Sequence, residues 1–242
     1  MDLSTQPLHP AVSRGFALGM SARADRWRPG LASDDRAGEV FASGGEASGA
    51  GAALALALDQ TDAASENPWL WVQDKAARRL GGRPYRSGLP ARLRDRLIHV
   101  AADRAEEALF ALEEGLRCRD LAFVIGEIAG NPKTLNLTAS RRLSLAAEKH
   151  GTPLWLIRLD AARDLGSARL RWEVRAAPSP RPRWNAQAPG IASWRAELFR
   201  AHTYQPGCWI LRDDDKLHAE PAVSPDHGDL AAAARARSLA AG

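Results

Sequence analysis

Residues 41–58, FASGGEASGAGAALALAL, run from an apolar start through a glycine-rich turn into an Ala/Leu stretch with the character of a helix. This is the outline of a phosphate-binding loop. In such a loop the backbone N–H groups cradle phosphates, a lysine reaches the β/γ oxygens, and a hydroxyl holds magnesium. Gly44 and Gly49 have the spacing of G-x-x-x-x-G-K-[ST], with Gly45 and Ser48 inside the turn. Ala50 stands where the lysine belongs and Gly51 where the Ser/Thr belongs. The loop therefore keeps backbone freedom and lacks both the cation and the metal ligand. An ordinary strand-to-helix turn is the plain alternative.

The other half of an ATPase site is a carboxylate at the end of a buried strand, holding the magnesium shell. LAFVIGEI (121–128) offers Gly126 and then Glu127. One step along a strand turns a side chain to the other face, so Glu127 is expected to face solvent at a strand terminus. The run WLWVQ (69–73) ends in Gln73, Asp74 and Lys75, ordinary polar residues for a strand end. The six histidines show no metal-ligand spacing, and His218 beside DDD (213–215) reads as a solvated acidic turn. No G-x-S-x-G elbow or Cys/His pair is present. Arg169, Arg171 and Arg175 are spaced to share one face of a strand, where they could meet DNA or pair with acids. Of eight tryptophans, Trp69 and Trp71 share a sheet face, while Trp184 and Trp194 border a Pro-rich linker as anchors or core.

Short apolar runs must position these groups: 69–73, LIHVA (97–101), 121–128 and PLWLIRL (153–159). Their near-continuous hydrophobicity predicts strands buried on both faces. Helices are predicted between them, over 103–118 (started by Asp103 and Glu106) and 138–151 (capped by Asn136 or Thr138, ended by Gly151). The alternation implies right-handed crossovers and an α/β fold with a mostly parallel sheet. RLRWEVRA (169–176), WRAELFRA (194–201) and CWILRD (208–213) are expected as antiparallel strands on one edge. Residues 1–37 read as a partly disordered arm, 38–218 as the folded domain, and 219–242 as a flexible tail. Of 242 residues, 45% are hydrophobic and 26% charged, which suits a globular domain with a real core. No apolar run approaches the length of a membrane helix, and no secretory leader is expected. Two cysteines without a CxxC pattern suit a reducing cytoplasm. Net charge is +4, and residues 151–200 hold nine Arg against four acids. Only four of the 33 basic residues are lysine, which points to chain-wide arginine bias.

Taken in order, the degenerate loop, LWVQD, GRPYRSGL, a helix ending LRC, LAFVIGEI, LTASRRLSLAAEKHGTPLWLIR, SARLRWEVRAAPS and ELFRA resemble the ImuA family of bacterial SOS-induced mutagenesis proteins, distant relatives of RecA. The likeness covers about residues 16–213, and the LTASRRL and SAR-x-RW blocks are its most specific parts. It implies a RecA-like three-layer core with antiparallel edge strands. It also implies partners: a catalytically inactive Y-family polymerase homologue (ImuB), an error-prone C-family polymerase, and RecA itself. The function implied is non-catalytic, bridging or regulating these proteins in translesion synthesis after DNA damage, with any DNA contact indirect. In RecA-like ATPases the strand after the loop ends near a catalytic Glu, and here the residues are Gln73, Asp74 and Lys75. The position of the magnesium carboxylate falls near Gly126. The site is therefore expected to be a relic with no ATP cofactor and no metal. Phe16 and Leu18 of the arm are the proposed protomer-joining segment. The competing readings are a residual ATPase or nucleotide switch, and a single-stranded DNA-binding module.

Overall fold

The computed structural model describes residues 25–30, 35–185 and 187–222. Phe16 and Leu18 lie outside them. Among the described residues eleven strands form: β1 Asp25–Arg26, β2 Ala37–Ala42, β3 Trp69–Gln73, β4 Leu97–Ala101, β5 Val124–Ala129, β6 Leu154–Leu159, β7 Leu170–Ala176, β8 Ala192–Ala201, β9 Tyr204–Gln205, β10 Gly207–Asp214 and β11 Lys216–Pro221. The helices are α1 Ser48–Asp59, α2 Lys75–Gly81, α3 Ala91–Arg94, α4 Ala105–Arg117 and α5 Leu137–His150. Nine strands make one sheet in the order β4-β3-β5-β6-β2-β7-β8-β10-β11. Every pairing from β4 to β7 is parallel, and β8, β10 and β11 add antiparallel. β7 is thus the last parallel strand, a correction to its expected antiparallel setting. The connection from β6 passes over β2 without a helix, so the absence of a helical pattern in 160–168 hid a crossover.

Alternation along the strands separates two cores. Trp69 and Trp71 of β3 face α1, together with Ile125, Ile157 and Trp172. Leu70 and Val72 face α4 and α5, together with Val124, Ile128, Leu112 and Leu143. Helices on both sides of a mostly parallel sheet give a three-layer α/β architecture of the RecA-like type. α5 begins where Asn136 Oδ1 accepts the Ala139 N–H (3.0 Å) and ends at Gly151, whose φ of 74° is left-handed. The start of α4 lies one residue beyond the expected box: Glu107, not Glu106, accepts the Asp103 N–H at 3.1 Å.

Residues 25–30 are seated on the sheet. Trp27 is buried, with ring centroids 4.7 Å from Trp172 and 5.7 Å from Trp209, and the Gly30 N–H donates to the Asp59 carboxylate. At the far edge Asp215, at φ 56°, turns β10 into β11, which runs on through Pro221. No described helix is long and apolar enough to cross a membrane.

Candidate functional site

The chain leaves β2 at the middle of the sheet and next adds β3 three places away, with β6 and β5 filling the gap later. Such a switch in strand order opens a crevice at the carboxyl ends of parallel strands. A cleft of about 380 Å³ lies there. Its wall on one side is the glycine-rich loop, Gly44 to Ala50; opposite stand α2 and residues 81–85; the floor is Trp71, Gln73 and Glu127. The loop does sit between a buried strand and a helix. Gly49 is needed for that junction, because a Cβ there would stand 2.8 Å from the Ala42 Cβ and 3.1 Å from Ile157.

Internal hydrogen bonds engage part of the loop. The Gly44 N–H donates to Asp160 Oδ1 at 2.9 Å. Glu46 folds back at the start of α1, where its carboxylate accepts the Ser48 hydroxyl (2.5 Å) and the Ala176 N–H (2.7 Å). The Ser48 bond, then the Ala176 bond, hold the Glu46 carboxyl below its ordinary value. Glu46 thus places a negative charge two residues before the start of α1, near the helix end that would draw a phosphate, without accepting from the backbone of α1 itself. Ala50 lines the cleft where a lysine would project. At Gly51 a Cβ would fall 2.6 Å from Trp194 Cζ2, so an indole fills the space a metal-binding hydroxyl needs. Trp194, expected beside the linker as anchor or core, is core, whereas Trp184 is almost fully exposed.

Glu127 departs from its expected setting. It is 3% exposed, not solvent-facing, because β5 continues to Ala129 and alternation turns Phe123, Ile125 and Glu127 towards the α1 side. Gly126 is the residue turned away: a Cβ there would meet Leu112 and Leu156 at 2.8 Å, on the α4 side. A carboxylate at 126 could not reach the loop; the one at 127 shares its cleft. Gln73 lies directly opposite Glu127 in the parallel register and donates to Oε2 at 2.8 Å, while Trp71 Nε1 donates to the same oxygen at 3.1 Å. The second Gln73 N–H goes to the Gly82 carbonyl (2.9 Å), so Gln73 Oε1 must accept from His99 Nε2, 2.9 Å away on β4. Burial pushes the Glu127 carboxyl up, and nearby Asp74 adds to this; the bonds from Gln73 and Trp71 oppose it. Burial, then Arg83 and Arg78, lowers the His99 imidazole, which favours its neutral form. Asp74 itself caps α2, accepting the Ala77 N–H at 2.7 Å. His99 and the capping role of Asp74 were not singled out in the sequence; only the strand register reveals the first.

The lining carries two carboxylates, Glu46 and Glu127, and one cation, Arg83. A triphosphate would meet net repulsion there, with no lysine to offset it. No group of three or more His, Cys, Asp or Glu with metal-binding geometry occurs among the described residues.

Arg169, Arg171 and Arg175 do lie on one side of β7, and each has an acidic partner. Arg169 Nε donates to Glu148 at 2.6 Å and Arg175 to Glu173 at 2.7 Å. Arg171 is 3% exposed, bonded to Glu39 at 2.6 Å and stacked 5.0 Å from the Phe41 ring. Arg158, equally buried, lies on the other side of Glu39 and reaches Asp164 and Asn131 in the loops after β6 and β5.

No family model matches the chain. Protein ImuA of Caulobacter vibrioides, in strain NA1000 and in strain CB 15, is 35% identical over 141 residues. That stretch is 54% of this chain and 54% of each relative, so the chain spans about half the length of the curated relatives it matches. The chain is thus similar to Protein ImuA over about half of its length, and it carries that likeness on a RecA-like sheet.

Proposed function

We propose that the chain is a non-catalytic accessory protein of SOS-induced, error-prone translesion synthesis. In this reading it docks an ImuB-like Y-family homologue and a C-family polymerase, and engages RecA through its own RecA-like body. It acts in the cytoplasm and uses no ATP or metal. The observation that carries the reading is the state of the loop: Asp160 and Glu46 hold its polar groups, Ala50 supplies no cation, and Trp194 fills the space beside Gly51. Such a body retains shape and surface and gives up turnover. The pairing of Arg169, Arg171 and Arg175 supports indirect rather than direct contact with DNA.

The test is affinity purification of the tagged chain from DNA-damaged cells, with bound proteins identified by mass spectrometry. Recovery of the Y-family homologue, the C-family polymerase or RecA is the expected result. A soluble, folded chain that recovers none of them overturns the adaptor reading. Truncating residues 1–37 without loss of partners removes Phe16 and Leu18 from the docking surface and leaves the folded body to carry it.

A further inference from the structure

Glu127 has an unused oxygen. Both of its hydrogen bonds fall on Oε2, and among the described residues no donor reaches Oε1. Oε1 lies on the side of Gly81, which lines the cleft; a Cβ on Gly81 would come within 3.3 Å of it. The residue is 3% exposed, with Oε2 fixed by two donors and Oε1 left open on the cleft, where a donor from outside the chain can reach it. Around it the walls are apolar and aromatic: Trp71, Leu80, Tyr85, Leu89 and Leu159. Leu80 and Tyr85 are well exposed at the rim. Glu46 adds a second negative charge across the cleft. An apolar shaft ending in a planar cation matches all of these features: the stem packs on Leu and aromatic surface, the head meets Oε1. Arginine fits better than lysine, since a guanidinium also stacks on aromatic rings and sheds water more readily.

We propose that the cleft between the glycine-rich loop and α2 receives an arginine side chain of a partner protein, with the Glu127 carboxylate as its anchor. The proposal deepens the accessory reading and rests on it, since it gives the former nucleotide cleft a protein ligand. The groups facing Glu127 are Trp71 and Gln73 of β3, Asp74 at the start of α2, and His99 of β4 through Gln73; Arg83 and Glu46 share the cleft. Because burial raises the Glu127 carboxyl, the site strengthens as pH rises through that raised value and the anchor ionises; below it the carboxyl is protonated and the guanidinium has no counterion.

The experiment titrates the full chain with acetyl-Leu-Arg-Leu-amide and follows the Trp71 indole N–H by NMR, assigned through Trp71→Phe. A saturable shift is expected in the millimolar range, and the citrulline isostere, which keeps shape and loses charge, should bind about tenfold or more weakly. Glu127→Gln should weaken arginine binding by a similar factor. Tyr85→Ala, at an exposed rim position that folding does not depend on, should weaken it about threefold. Equal binding of the citrulline peptide, or no saturable shift, overturns the proposal while leaving the accessory reading intact. Displacement of the peptide by magnesium–ATP would instead overturn the accessory reading.

Discussion

Restoring a hydroxyl at position 51 should damage the protein without restoring its chemistry. In Gly51→Ser the new Cβ would stand 2.6 Å from Trp194 Cζ2 and 3.2 Å from Cε2, well inside contact distance. The indole cannot swing away: Trp194 is 6% exposed and its strand is paired on both sides, with Ala176 of β7 and Leu211 of β10 opposite it. Overfilling a packed site of this sort costs about 1–3 kcal/mol. Replacing glycine inside α1 returns about 0.5 kcal/mol of helix propensity. The net loss is then about 0.5–2.5 kcal/mol, or about 1–10 °C in Tm for a domain of this size. Ala50→Lys is the matched control, because its side chain extends into the open cleft; its stability should stay within about 0.5 kcal/mol of the parent. Thermal and urea unfolding of both variants, with Gly51→Ser repeated in a Trp194→Leu background, measure the clash directly. The Trp194→Leu background should shrink the cost of Gly51→Ser, an interaction energy of the kind contacting residues show. The reasoning is refuted if Gly51→Ser matches the parent in stability, or if its cost is unchanged when the indole is gone.

Three further outcomes are expected. Glu39→Gln should cost about 3–5 kcal/mol by leaving Arg171 and Arg158 buried with too little counter-charge, and Glu39→Met with Arg171→Met should recover much of it in urea unfolding. Asp160→Asn should lower stability by about 1 kcal/mol, the worth of exchanging a charged for a neutral acceptor at the Gly44 N–H; Asn tolerates the left-handed φ of 48° at that position. Glu46 has its carboxyl held below the ordinary 4.5 in the folded state, so its contribution is fully present above pH 4.5 and is lost as pH falls through the lower folded value. The stability advantage of the parent over Glu46→Gln should therefore be constant near neutrality and shrink in the acid range; an advantage that does not change with pH would contradict the assignment.

Much of the sheet was legible in the sequence because buried parallel strands carry nearly continuous apolar runs. WLWVQ and LIHVA are strands over the residues expected, and the helix at 137–150 was marked by its cap and its glycine. β7 was misplaced because pairing sense is set by where a connection travels, and 160–168 crosses the sheet without a helix to announce it. β11 was only partly visible: KLHAEP alternates weakly and stops at a proline, and its pairing with β10 comes from the Asp215 turn. The missing lysine and hydroxyl could be read directly at Ala50 and Gly51. What replaced them could not, because Asp160, Ala176 and Trp194 lie more than a hundred residues away and meet the loop only through the order β6-β2-β7-β8. Glu127 was misjudged for a local reason. The strand was expected to end at 128, and one further residue keeps position 127 inside the sheet.

The proposed absence of nucleotide chemistry is tested most directly by calorimetric titration of the full chain with a non-hydrolysable ATP analogue and magnesium, alongside an ATPase assay. No saturable heat at millimolar nucleotide and no magnesium-dependent phosphate release are expected, with Asp160 and Glu46 already holding the loop. Saturable, magnesium-dependent binding or hydrolysis that disappears when residues 44–51 are altered would contradict the account.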